Sequence, residues 1–160
     1  MARFEFDGIN EYAEKLKRLS DKAEGMIKRA VYEGARVVAD NTREAIQGLP
    51  EQVTNPPPGG QMNGVFSYEK AGLLAGLGLA TMQNAGGFIH TKLGFEGYNR
   101  LKSKSYPGGH PNALIARAIN SGTSYRRKIP FISSAVKASQ AAAEAAMRAR
   151  LDADLETETK

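Results

Sequence analysis

Residues 56–60 of this 160-residue chain read Pro56-Pro57-Pro58-Gly59-Gly60. Three successive prolines lack backbone donors and fix φ, and the two glycines at once restore freedom. Neither a helix nor a central strand can pass through such a run. The irregular segment around it spans residues 48–64 (GLPEQVTNPPPGGQMNG). Loops this long in compact domains are as a rule functional or disordered. This one reads as a flexible arm on an assembly surface, in preference to a polyproline ligand for an aromatic groove.

Before the arm the pattern is helical. Ile9, Tyr12, Leu16 and Leu19 recur at spacings of three and four, the period of one apolar helix face. A second, longer stripe follows through Ala23, Met26, Ile27, Ala30, Val31, Gly34, Val37, Val38 and Ala45. It predicts a helix to about Gln47, roughly 40 Å long at 1.5 Å per residue. Ser20-Asp21, the start of a capping-box pattern, fits either a break or a kink. Gly25 and Gly34 each cost about 1 kcal/mol against alanine in a helix interior. Gly34 lies on the stripe, which points to a close approach by another element; Gly25 has no such account. Ahead of the helix, Phe4 and Phe6 alternate with Arg3 and Glu5, the period of a short strand with one buried face.

After the arm, residues 71–79 open a new element. Residues 77–83 and 87–95 then read as two antiparallel strands around a turn at 84–87, with Ile89, Thr91, Leu93 and Phe95 on one face and His90 and Lys92 on the other. Residues 97–110 form a second exposed loop, rich in Ser, Gly, Pro and basic groups. Pro111 suits the first turn of a short helix carrying Leu114, Ile115, Ala118 and Ile119 and stopped by Gly122. Pro130-Phe131 opens an alanine-rich terminal helix whose predicted packing face is Phe131, Ala135, Ala138, Ala142 and Ala145. The acidic residues 152–160 are expected to be a mobile tail. Together these elements predict one α+β domain over residues 1–160. A small antiparallel sheet packs on a long N-terminal helix and a C-terminal helix, and two long loops extend from it.

Charge is unevenly placed. The chain carries a net +5. Between Lys92 and Pro130 stand eight basic residues against the single Glu96, a net +7 that leaves −2 for the rest. Arg100, Lys102 and Lys104 lie between Tyr98 and Tyr106, and Arg126, Arg127 and Lys128 follow Tyr125. Basic groups beside aromatics suit phosphate contact with some stacking, or contact with an acidic neighbouring subunit. No helix-turn-helix or zinc-finger pattern supplies a reading helix, so any DNA contact is directed at the backbone.

Reactive constellations are missing from the pattern. Cysteine is absent, which excludes disulfides and thiolate metal sites. His90 and His110 sit in neither an H-x-x-x-H nor an H-E pattern, and no glycine run makes a phosphate cradle. The reading is non-enzymatic, with no cofactor and no metal. No run of about 18 apolar residues predicts a membrane span, and the N-terminus lacks a secretory pattern.

In this order, four landmarks resemble a known family. They are Phe4-Glu5-Phe6-Asp7-Gly8 before a helical stripe, and Lys28-Arg29-Ala30 with Ala35-Arg36-Val37-Val38 in the long helix. Gly72-Leu73-Leu74 then leads into the hairpin, and Gly122-Thr123 is followed by Pro130-Phe131 and Ala135. The chain is similar to the neck and tail-completion proteins of long-tailed bacteriophages, the lambdoid gene-product-ten-like minor structural family. It departs from them at Asn120-Ser121, where an acidic residue is usual, at Gly76, where serine is usual, and in the basic Arg126-Arg127-Lys128. The resemblance implies a virion protein made in the host cytoplasm. It would form a ring, of six copies, between the head-side connector or stopper and the tail tube, with a channel for genomic DNA. On this view Phe131 is the buried anchor of the last helix. Pro56, Pro57, Pro58, Gly59 and Gly60 form an assembly arm, and the basic loops face DNA or a neighbouring subunit. The competing expectation is a small non-specific DNA-binding protein acting as monomer or dimer.

Overall fold

A computed structural model describes residues 7–159, with side chains from Ala13 to Glu158. The strand expected at Phe4 and Phe6 lies outside the described residues. The elements run α1 (Asp7–Gln47), α2 (Ser67–Gly76), β1 (Leu77–Leu79), β2 (Gln83–Ala85), β3 (Phe88–His90), β4 (Leu93–Phe95), α3 (Asn112–Ser121) and α4 (Phe131–Thr159). The fold is α+β.

Helix α1 is unbroken across Ser20-Asp21, and its 41 residues reach about 60 Å. Ser20 and Asp21 are solvent-exposed, so neither polar side chain interrupts packing. A row at four-residue spacing (Met26, Ala30, Gly34, Val38, Thr42, Ile46) faces α4, which returns antiparallel. Lys22 pairs with Glu158 and Arg29 with Asp154 at one end of this stalk. Midway, a Cβ on Gly34 would lie 2.5 Å from Met147 Cγ. The glycine on the stripe therefore marks a helix–helix contact. Gly25 would meet only the tip of Arg29, at 3.6 Å, so nothing in the packing requires it.

Two expectations about α4 are corrected. Its packing row is Phe131, Ala135, Ser139, Ala143 and Met147, while Ala138, Ala142 and Ala145 are exposed. Residues four apart advance about 40° around the helix, so such a row winds around its partner where a 3-4-3 row would run straight. The part of the expected tail that is described, residues 152–159, is also not loose: α4 continues to Thr159, and Asp154 accepts from Arg29 Nε at 2.8 Å and lies 3.1 Å from Arg150 Nη2.

At the other end the helices meet a head. Its core joins Ile46, Leu49, Val65, Leu73, Leu77, Ile115, Ala116, Ile119 and Phe131. Phe131 is the anchor expected, its ring edge-on to Phe95 at 6.4 Å. The predicted hairpin forms but is split into two antiparallel ladders, β1–β4 in register Leu77↔Phe95 and β2–β3 in register Ala85↔Phe88. Gly86 and Gly87, at φ +63° and +91°, make the two-residue turn that only glycine-like residues enter readily. Leu93 and Phe95 pack on the core while Lys92 is exposed, as their alternation predicts.

Candidate functional site

The segments with unusual sequences (arm, basic loop and linker) converge on one side of the head. Each is fastened there by buried polar groups.

The arm is pinned at its base, which corrects the reading of a flexible arm. Gln52 N donates to Val65 O and Val65 N to Pro50 O, both at 2.8 Å. Further along, Met62 N donates to Tyr125 O and Arg127 N to Met62 O, at 2.8 and 2.9 Å. The tip closes through Gly60 N to Pro57 O at 2.8 Å, with Gly59 at φ +81°. Proline followed by a positive-φ glycine is the requirement of a type II turn. Pro57, Pro58, Gly59 and Gly60 are exposed and Pro56 is half-buried.

The loop at 97–110 is closed by two asparagines. Asn99 Oδ1 accepts from Leu101 N at 3.0 Å and His110 N at 3.2 Å, and Asn112 Nδ2 donates to Glu96 O at 2.8 Å. Gly72 lets α2 press against this pair: a Cβ there would stand 2.7 Å from Asn112 Oδ1. Leu73 beside it is fully buried.

Between α3 and α4, Gly122 adopts φ +76°, and a Cβ on it would crowd Lys128. Thr123 N and Arg126 O bond at 2.9 Å, tightening the loop. Pro130 is exposed, and its carbonyl accepts from Ser134 N at 3.0 Å. Asn120, one of the departures from the family pattern, caps α4. Its Oδ1 accepts from Ile132 N at 3.1 Å and Ser133 N at 3.4 Å, the orphan donors of a helix start.

Arg126 is corrected most. Expected to face DNA or a subunit, it is buried. Its Nη1 donates to Gly64 O at 3.0 Å and its Nη2 to Glu69 Oε1 at 2.7 Å. Glu69 Oε2 in turn accepts from Phe66 N at 3.0 Å, covering the start of α2. One ion pair thus ties linker, arm and α2 together. Arg100, Lys102, Lys104, Arg127 and Lys128 are exposed as expected. None of the five makes an ion pair among the described residues.

The pinned segments enclose a cleft of about 810 Å³ with Met62, Phe66, Tyr68, Leu101, Leu114 and Tyr125 on its walls and the Arg126–Glu69 pair at its base. Phe66 and Tyr68 stack at 5.3 Å. Burial, and then the Glu69 charge, push the Tyr68 hydroxyl above its ordinary pKa, with Arg126 opposing; the phenol is neutral at physiological pH. The wall is therefore largely apolar and aromatic. Among the described residues no group of three His, Cys, Asp or Glu side chains converges as a metal site would require, and no helix is long and apolar enough to cross a membrane. Comparison of the chain with protein-family models, curated proteins and solved structures gives no match.

Proposed function

We propose that this protein is a structural subunit of a ring at the head–tail junction of a long-tailed bacteriophage. In this reading the ring joins the head-side connector to the tail tube and leaves a channel for the genome. One observation carries it: the exposed cations stand on two loops whose bases are locked by buried polar contacts. Such loops hold fixed positions without presenting a reactive group, which suits a repeated contact surface. With Arg126 buried and paired, the segment from Lys92 to Pro130 presents a net of about +6 to solvent, or about +36 over six copies, near the path of DNA.

The test is native mass spectrometry of the purified protein, alone and with tail tubes, followed by DNA binding across a salt series. A closed ring, alone or on the tube, is the expected result. Each phosphate neutralised by the ring adds about 0.9 to the log–log salt slope, and Gln in place of Arg100, Lys102 and Lys104 should flatten it. A stable dimer that binds DNA tightly would replace this reading with the small DNA-binding protein. Binding that ignores salt would turn the cations toward neighbouring subunits.

A further inference from the structure

Strand β4 has an open edge. Ala80 N donates to Lys92 O and Glu96 N to Gly76 O, both at 2.8 Å. In an antiparallel ladder hydrogen-bonded positions alternate, so Lys92, Gly94 and Glu96 face β1. The N–H and C=O groups of Leu93 and Phe95 turn the other way, and no partner engages them among the described residues. An unpaired edge of this kind is a template for another strand.

Beside that edge runs an apolar groove of about 430 Å³ between β4, α3 and α4, walled by Leu93, Phe95, Ala116, Ile132 and Val136 and closed by Val38 of α1. Val136 is 45% exposed. Arg117, exposed and without an ion pair among the described residues, stands on its rim.

We propose that this edge and groove receive residues 3–6 of a second copy as an added strand, with Phe4 and Phe6 entering the groove. Two facts single out this occupant. Phe4 and Phe6 alternate with polar residues at the two-residue period that a strand needs to place both rings on one face. The chain's own groove is out of reach: Phe4 stands three residues before α1, about 10 Å of extended chain. Val38, at the groove, lies about 46 Å further along that helix. Only another molecule can bring Phe4 to it. Edge and segment are different surfaces of one subunit, so the contact is head-to-tail and closes into a ring where the rotation permits. The inference rests on the ring reading and names the contact that would build it.

The test uses two variants and their mixture. Phe4→Ser/Phe6→Ser keeps the groove and loses the inserting strand. Val136→Arg keeps the strand and blocks the groove; Ala113→Arg, at another exposed point of the groove, replaces it if that variant does not fold. Each alone should need at least about tenfold more protein than the parent to assemble, a loss of about 1.4 kcal/mol per contact. Mixed, they have one intact edge-and-strand combination between them and should form one-to-one dimers by native mass spectrometry. Variants that assemble like the parent, or a mixture that stays monomeric, overturn the inference while the parent's ring still stands. A lowered melting temperature with unchanged assembly would place the two phenylalanines on their own stalk and overturn it equally. A parent that never assembles, with or without tail tubes, overturns the ring reading itself.

Discussion

Removing the Arg126 guanidinium leaves the Glu69 carboxylate buried without a counter-charge. Breaking a buried pair from one side typically costs about 3–5 kcal/mol. Arg126→Met should lower the unfolding free energy read from a urea titration by that much, whereas Arg127→Ala, one residue along and exposed, should stay within about 0.5 kcal/mol of the parent. Equal effects of the two would refute the role given to the pair. Phe131→Ala removes a ring that is 5% exposed and edge-on to Phe95, and should cost about 3–5 kcal/mol; a parent-like melting curve would dislodge it as anchor. Phe131 was legible because proline, a large aromatic and an alanine run mark a helix start that must pack. Arg126 was not. Its partner lies 57 residues away, and a basic triplet in a loop looks the same whether one member turns inward or not. Asn120 was hidden for the same reason, since it caps a helix that begins eleven residues later.

The stalk is governed by how closely two helices approach. Gly34→Ala would set a methyl 2.5 Å from Met147 Cγ and 3.3 Å from the Ala143 carbonyl. Overpacking of this kind costs about 1–3 kcal/mol, and Met147→Ala should recover part of it in a double-mutant cycle. Gly25→Ala on the same helix meets only the flexible tip of Arg29, at an ordinary 3.6 Å, and should stabilise by up to about 1 kcal/mol. Thermal melts of the three variants check both signs; a stabilising Gly34→Ala would mean that the helices stand further apart. Acid offers a second probe. Burial raises the Asp154 pKa, but Arg29 and Arg150 outweigh it and hold the carboxyl below its ordinary value. A group depressed on folding stabilises fully above its unfolded pKa, about 3.9, and that contribution fades as pH falls through the folded value. Asp154→Asn should therefore weaken the parent at pH 7 and have less effect near pH 2. An effect that grows toward acid would contradict the pairing. The sequence pattern disclosed that α4 packs through small residues and missed which ones: a 3-4-3 row and a winding four-residue row have nearly the same composition. The charges at 152–160 looked like a solvated tail because their partners lie on α1, more than a hundred residues away.

Two kinds of packing divide the molecule. The head buries large side chains, with Ile46, Leu73, Ile119 and Val65 almost wholly covered. The stalk buries mainly Ala, Gly, Ser and Met, and its outer half is bordered by ion pairs that are worth little each in water. Apolar burial stabilises roughly in proportion to area, so the head must hold most of the folding free energy. Helix α1 runs through both bodies as one rod, and its amides should report the difference. Hydrogen exchange should be slowest around Ile46, near the global unfolding limit, and quicken progressively from Ala30 toward Ala13, with α4 quickening in parallel from Ala143 toward Glu158. The β2–β3 tip, where a Cβ on Gly86 or Gly87 would meet nothing within 4 Å, should exchange fastest among the strands. If the outer stalk were instead protected as well as the head, it would have to be covered by another copy at the concentration of the measurement. Dilution would then restore the gradient, whereas a gradient absent at every dilution would defeat the division into a firm head and a lightly held stalk.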